Sequence, residues 1–230
     1  MTRTARAVLV LATLVALKPD GAAAQVTVGT ANTGNCYPFI CMAGDGGTRY
    51  QQVYSSSSFS SAMFINSLTW YRNYWSGSQS FDGSTYTLSL STTSAGVGAL
   101  SSNADANLGA NNQLFYSGIV SGAVGTGFTL TGTSFLYDPS MGNLLLDVII
   151  TNPHAQGYVT FLDADNTGRS TSRTWNWQGQ QAPQIVDNAG LVTTFQGTVV
   201  PEPATITLMA TGFAGLAGAY RRRKNAKIAA

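Results

Sequence analysis

The run Thr85-Tyr86-Thr87-Leu88-Ser89-Leu90-Ser91 alternates without a break. Tyr86, Leu88 and Leu90 fall on one side, and Thr85, Thr87, Ser89 and Ser91 on the other. That period of two predicts a half-buried β-strand. Met63 to Arg72 reads the same way, with Phe64, Leu68 and Trp70 expected to share a face. Strands are also predicted over 114–119, 128–131, 134–137, 158–162 and 191–199. Asn143 to Thr151 is almost continuously apolar, which predicts a central strand covered on both sides. Turn chemistry separates these runs: Phe81-Asp82-Gly83-Ser84, Tyr137-Asp138-Pro139-Ser140, Asn152-Pro153 and Asp187-Asn188-Ala189-Gly190. No long helical periodicity interrupts them before residue 200. Many short strands joined by tight turns predict an all-β fold, a β-sandwich of jelly-roll-like form, with a closed barrel as the alternative.

The ends of the chain differ from its middle. Arg3 and Arg6 precede an apolar stretch from Ala7 to Leu17, and Ala22-Ala23-Ala24 supplies a small-residue cleavage site. Residues 1–24 therefore read as a signal peptide forming an N-terminal signal helix, cut before Gln25 by signal peptidase with Ala22 and Ala24 at the site. An apolar run this short is a poor membrane span. Residues 25–199 make the β-sandwich ectodomain, and residues 200–227 form a separate tail. All three lysines, at 18, 224 and 227, lie near the ends; between Gln25 and Val200 four arginines face eight aspartates, a formal −4. No basic patch is available to neutralise phosphates, so nucleic acid is not an expected partner.

The tail reads Val200-Pro201-Glu202-Pro203-Ala204-Thr205, then an apolar run to Tyr220, then Arg221-Arg222-Arg223-Lys224. A helix over 204–220 would be roughly 25 Å long, near the lower limit for crossing a bilayer. The expectation is a transmembrane helix with its basic end in the cytoplasm. Each proline disfavours helix in the residue before it, so Pro-Glu-Pro should be extended.

This order of box, glycine-bearing apolar helix and basic cluster resembles the PEP-CTERM sorting signal. The resemblance implies a Gram-negative host that makes extracellular polysaccharide, and processing by exosortase, a membrane protease. It also implies that Pro201, Glu202 and Pro203 are recognition residues and that this chain is the substrate. Segments of the middle are similar to ectodomains of other PEP-CTERM proteins, among them Arg49-Tyr50-Gln51-Gln52-Val53-Tyr54 and Gly142-Asn143-Leu144-Leu145-Leu146-Asp147. The resemblance thus implies an exported protein, transiently anchored in the inner membrane and then at the cell surface or outside the cell, associated with exopolysaccharide or biofilm.

Candidate sites in the ectodomain are few. Cys36 and Cys41 are the only cysteines, and in an exported chain they are expected to form a disulfide. Closing so short a loop contributes about 2 kcal/mol in the chain-entropy model. His154 is the sole histidine and lies in a turn context, with no nucleophile elbow to accompany it. Asp163-Ala164-Asp165-Asn166-Thr167-Gly168 has the opening of a calcium loop, yet Thr174 stands where the closing acid belongs. Asp163 and Asp165 are thus a weak calcium candidate beside an ordinary Asx-rich turn; no other metal and no cofactor is expected. The ectodomain has no glutamate to pair as glycosidases pair carboxylates. Asp147, inside the apolar strand, is the exception among the aspartates: either it is buried with an arginine partner or it marks a polar stripe. Trp75, Trp175 and Trp177 could form a carbohydrate platform, since pyranose faces stack on indole rings, or they could pack the core. The reading is a non-enzymatic surface or matrix protein. A lectin-like carbohydrate-binding module is the alternative, and a hydrolase comes behind it.

Overall fold

The computed structural model describes residues 22–39, 49–73, 80, 81, 83–152, 160–176, 185–201 and 203–228. Residues 22–200 form one compact unit, and the tail from Pro201 belongs to another. Among the described residues, thirteen strands build the first unit: β1 (Ala23–Val28), β2 (Thr33–Asn35), β3 (Arg49–Tyr54), β4 (Met63–Tyr71), β5 (Thr85–Thr93), β6 (Gln113–Ile119), β7 (Gly127–Tyr137), β8 (Asn143–Thr151), β9 (Leu162–Asp165), β10 (Thr171–Trp175), β11 (Ile185–Asp187), β12 (Gly190–Leu191) and β13 (Thr193–Val199). They pair antiparallel in three sheets, ordered β1-β13-β4-β7, β11-β10-β3-β8-β5-β6 and β12-β9-β2. The all-β expectation holds. The signal helix falls outside the described residues, except that Ala23 and Ala24 open β1.

The two larger sheets enclose one aromatic core. Tyr54 of β3 meets Phe195 of β13 edge-on at 4.9 Å, and Phe59 reaches both Tyr137 and Phe195. Phe39 lies 4.7 Å from Trp70 and 5.3 Å from Tyr86, whose hydroxyl donates to the Phe39 carbonyl at 2.7 Å. Strand β8 is central, between β3 and β5, as its apolar run predicts. Leu144, Leu146 and Val148 face the aromatic core. On the opposite side, Leu145 and Val53 pack with Leu100 from the long β5–β6 connection, so that loop covers the outer face of the sheet.

Two sequence expectations change. Strand β4 does not alternate evenly, because Asn66 is an extra residue between Ile65 and Ser67 where the paired β13 passes directly from Gly197 to Gln196. Met63, Ile65, Leu68 and Trp70 are all buried, whereas Phe64 is 40% exposed. The extra residue of a bulge reverses the phase of side chains, so Phe64 does not share a face with Leu68. The tail does form a helix, α1 (Pro203–Ile228), of 26 residues. At about 39 Å it is long enough to span hydrocarbon. Its composition fails: Thr205, Thr207, Thr211, Gly212, Gly215 and Gly218 dilute the apolar run. No helix among the described residues is long and apolar enough to cross a membrane, which corrects the expected transmembrane helix.

Polar residues also hold the fold together. Asp147 is 4% exposed. Its Oδ1 accepts from Arg49 Nε and Gln51 Nε2, both at 2.9 Å, and its Oδ2 accepts from Arg49 Nη2 at 3.2 Å. Arg49 Nη1 continues to Asp105, while Gln51 bonds Asn107 and the Ala104 carbonyl. The cluster pins the β5–β6 loop onto strands β3 and β8. Replacing Asp147 with Ala leaves Arg49 only its bond to the exposed Asp105 and Gln51 Nε2 only the Ala104 carbonyl, a loss of about 2 kcal/mol. Urea denaturation of the Asp147→Ala chain should show that drop; a change below about 1 kcal/mol would mean that water satisfies the cluster equally well.

Candidate functional site

The sheet holds the C-terminal strand up to the point where the tail begins. On one side, β13 pairs with β1 from Thr193↔Val28 to Thr198↔Ala23. On the other it pairs with β4, ending at Val199↔Met63. The Val200 N–H donates to the Ala62 carbonyl at 2.9 Å. Pro201 is half-buried and in neither strand nor helix, and α1 begins at Pro203. A proline suits that first helical position, because its missing N–H would have no partner there and its φ is already helical. Glu202 lies outside the described residues. Pro201 thus stands between the last sheet hydrogen bond and the first helical residue, with no regular ladder of its own.

Residues 199–224 match the family model of the PEP-CTERM protein-sorting motif. The chain carries a PEP-CTERM sorting motif. No curated protein and no solved structure matches the chain. The motif implies an exported protein addressed to exosortase, which is its processing partner.

Among the described residues of the β domain, several buried polar side chains are engaged by one another. Asp165 is 2% exposed. Its Oδ1 accepts from the Thr167 N–H at 2.8 Å, and its Oδ2 accepts from the Thr30 N–H at 3.1 Å and the Ser170 hydroxyl at 3.0 Å. Burial pushes this carboxyl up, but the bonds from Thr167, Thr30 and Ser170 outweigh it and hold the group below the usual carboxylate range. Asp163 accepts from Asn73 Nδ2 at 2.9 Å. Protein donors thus already engage both carboxylates, as in a hydrogen-bonded turn. Among the described residues no group of three acids, histidines or cysteines converges.

Trp175 is only 8% exposed. Tyr37 stacks on its ring at 4.6 Å, the Arg173 guanidinium lies 5.5 Å from its centroid, and Nε1 donates to Asp187 at 3.0 Å. Its ring is spent on packing and offers no open face to a sugar. Trp75 and Trp177, the other members of the expected platform, lie outside the described residues, as does His154. Cys36 packs partly buried against the core, and Cys41 is outside the described residues.

Periodicity gave no warning of the Arg173–Asp187 pair. Arg173 points inward from β10 and bonds Asp187 through Nε at 2.6 Å and Nη2 at 3.0 Å, while the Ala189 N–H donates to the same carboxylate. The only local clue was the Asx-type turn Asp187-Asn188-Ala189-Gly190. Burial raises the Asp187 carboxyl, and the Arg173, Trp175 and Ala189 donors overcome that rise, leaving it below its ordinary value. A carboxyl depressed on folding stabilises the native state above its unfolded pKa of about 3.9; that contribution is lost as pH falls through the lower folded value. Asp187→Asn should therefore flatten the loss of stability below about pH 4. Thermal melts between pH 2 and pH 7 read it; parallel profiles for the two chains would assign the acid response elsewhere.

Proposed function

We propose that this chain is a non-enzymatic surface or matrix protein, brought to the inner membrane by its tail, cut by exosortase, and associated outside the cell with extracellular polysaccharide or biofilm. The carrying observation is the sorting motif at 199–224, which begins on the final residue of the last strand of a folded β domain. A folded domain whose sheet pairing stops just before Pro201 suits a substrate, since a protease cleft takes up extended chain and leaves the domain intact. The structural engagement of Asp147, Asp165 and Asp187 favours a non-catalytic role, because each is occupied with donors that fix neighbouring strands.

The domain carries a jelly-roll connectivity in this reading. Its support is the strand order: β1-β13-β4-β7 in one sheet, and β3-β8-β5-β6 within the other. Setting aside the short strands β2 and β9 to β12, that is the order obtained when a long antiparallel hairpin folds over to make two four-stranded sheets. Signal peptidase removes residues 1–24, and Cys36 bonds Cys41 once the chain is exported.

Two outcomes test these readings. Deleting Pro201 to Pro203 should leave the tail attached in the producing cell, read as a heavier mass and a changed location; unaltered processing would remove the sorting assignment. Alkylation of the mature chain under denaturing conditions should modify neither cysteine until a reductant is added. Closure of that loop should be worth about 2 kcal/mol in urea melts. Immediate labelling of both thiols would eliminate the disulfide.

A further inference from the structure

The two expected processing points meet in one sheet. Ala23 and Ala24 face Thr198 and Gly197 across the β1–β13 ladder, and the Val199 N–H donates to the Ala22 carbonyl at 2.9 Å. Strand β1 is the outermost of its sheet, so these alanines are what covers β13 on that side. The other side of β13 is weak at the same level. Its register with β4 shifts between Gln196 and Gly197, leaving Gly197–Val199 as a short ladder beyond a bulge. Gly197 is required there, because a Cβ would run into the Phe64 carbonyl. The segment from Gly197 to Val200 thus owes much of its order to residues 22–24, and the sorting motif starts within it, at Val199.

From this juxtaposition we infer an order of reactions: hydrolysis of the Ala24–Gln25 peptide bond must come before the tail is cut. In that hydrolysis the C–N bond breaks, water delivers hydroxide to the Ala24 carbonyl carbon, and its proton goes to the Gln25 nitrogen. The departing peptide takes Ala22, Ala23 and Ala24 with it. The Val199 N–H loses its acceptor, and Gly197 to Val199 gain an open backbone edge at the root of the motif. Proteases commonly bind chain as an added strand, which needs such an edge. The leader's last residues therefore act as a lock on the sorting signal, and the tail-cutting enzyme receives only chains whose leader has gone. The inference rests on cleavage before Gln25 and on the tail being an exosortase substrate.

The physical half is tested on the purified full-length precursor and on the leader-cleaved chain, both with the tail present. Hydrogen exchange of the Val199 amide should be about tenfold faster in the cleaved chain, since a strand end held on one edge frays. Equal exchange would overturn the lock. The processing half uses Ala22→Leu with Ala24→Val, which spoils the small-residue site while keeping strand geometry. Once mass confirms the retained leader, the tail should also be retained. Using Ala24→Pro in place of Ala24→Val removes the ladder donor opposite Gly197 and should restore tail cleavage with the leader still attached. Tail loss at the wild-type rate from the first variant, or no rescue by the second, refutes the order. If the wild-type chain itself keeps its tail, the sorting reading fails instead, and the exchange comparison still decides the lock.

Discussion

The last strand holds the domain closed. Strand β13 lies between β1, the first strand, and β4, and Phe195 carries the aromatic core from one sheet to the other. Its partners on β1 are about 170 residues away in sequence, from Ala23↔Thr198 to Val28↔Thr193. Such a contact carries a high loop-closure cost, so the sheet cannot be complete until the whole ectodomain has been made. The same strand leads into the sorting motif. Folding and addressing are therefore coupled by position: the box follows the residue at which the sheet stops holding the chain.

A second constraint is the scarcity of charge. Few ionic groups lie between Gln25 and Val200, and the most buried of them sit in pairs or turns where several donors converge. Arg49 with Asp147, and Arg173 with Asp187, each tie a strand of the six-stranded sheet to a loop or a neighbouring strand. Glutamine extends the pattern. Gln52 accepts from the Leu191 N–H and donates to the Leu191 carbonyl, joining β3 to the short β12. A buried amide left without partners costs roughly 1–3 kcal/mol, so these bonds select one arrangement of loops over others. Polar burial of this kind specifies geometry more than it adds net stability.

Threonine shapes the outer face of the four-stranded sheet. Thr27, Thr194, Thr69 and Thr129 stand in one register row across all four strands. Their hydroxyls pair at 2.7 Å, Thr27 with Thr194 and Thr69 with Thr129, and the Tyr71 hydroxyl joins Thr194. β-Branched side chains suit the pleat, and hydroxyls that bond across strands satisfy one another without charge. The face is polar while remaining neutral, consistent with an exported chain of low charge density.

The sequence alone determined the class of fold, the central place of Asn143–Thr151, the exceptional position of Asp147 within it, and the address in the tail from Val200. These are readable because they are local: a period of two, a continuous apolar run, a lone acid within it, or a short motif in fixed order. Tertiary structure decided the rest. The bulge at Ile65–Ser67 moved Phe64 outward, and no single strand reveals a bulge, because it exists only relative to the partner that it opposes. Asp165 became a hydrogen-bond acceptor for Thr30, and Trp175 was enclosed by Tyr37 and Arg173, through contacts that span the chain. Threonine and glycine, spread along α1, left a helix of sufficient length without sufficient apolarity. The physical reason is common to these cases: periodicity records which way a side chain points, while its neighbours are set by residues far away in sequence.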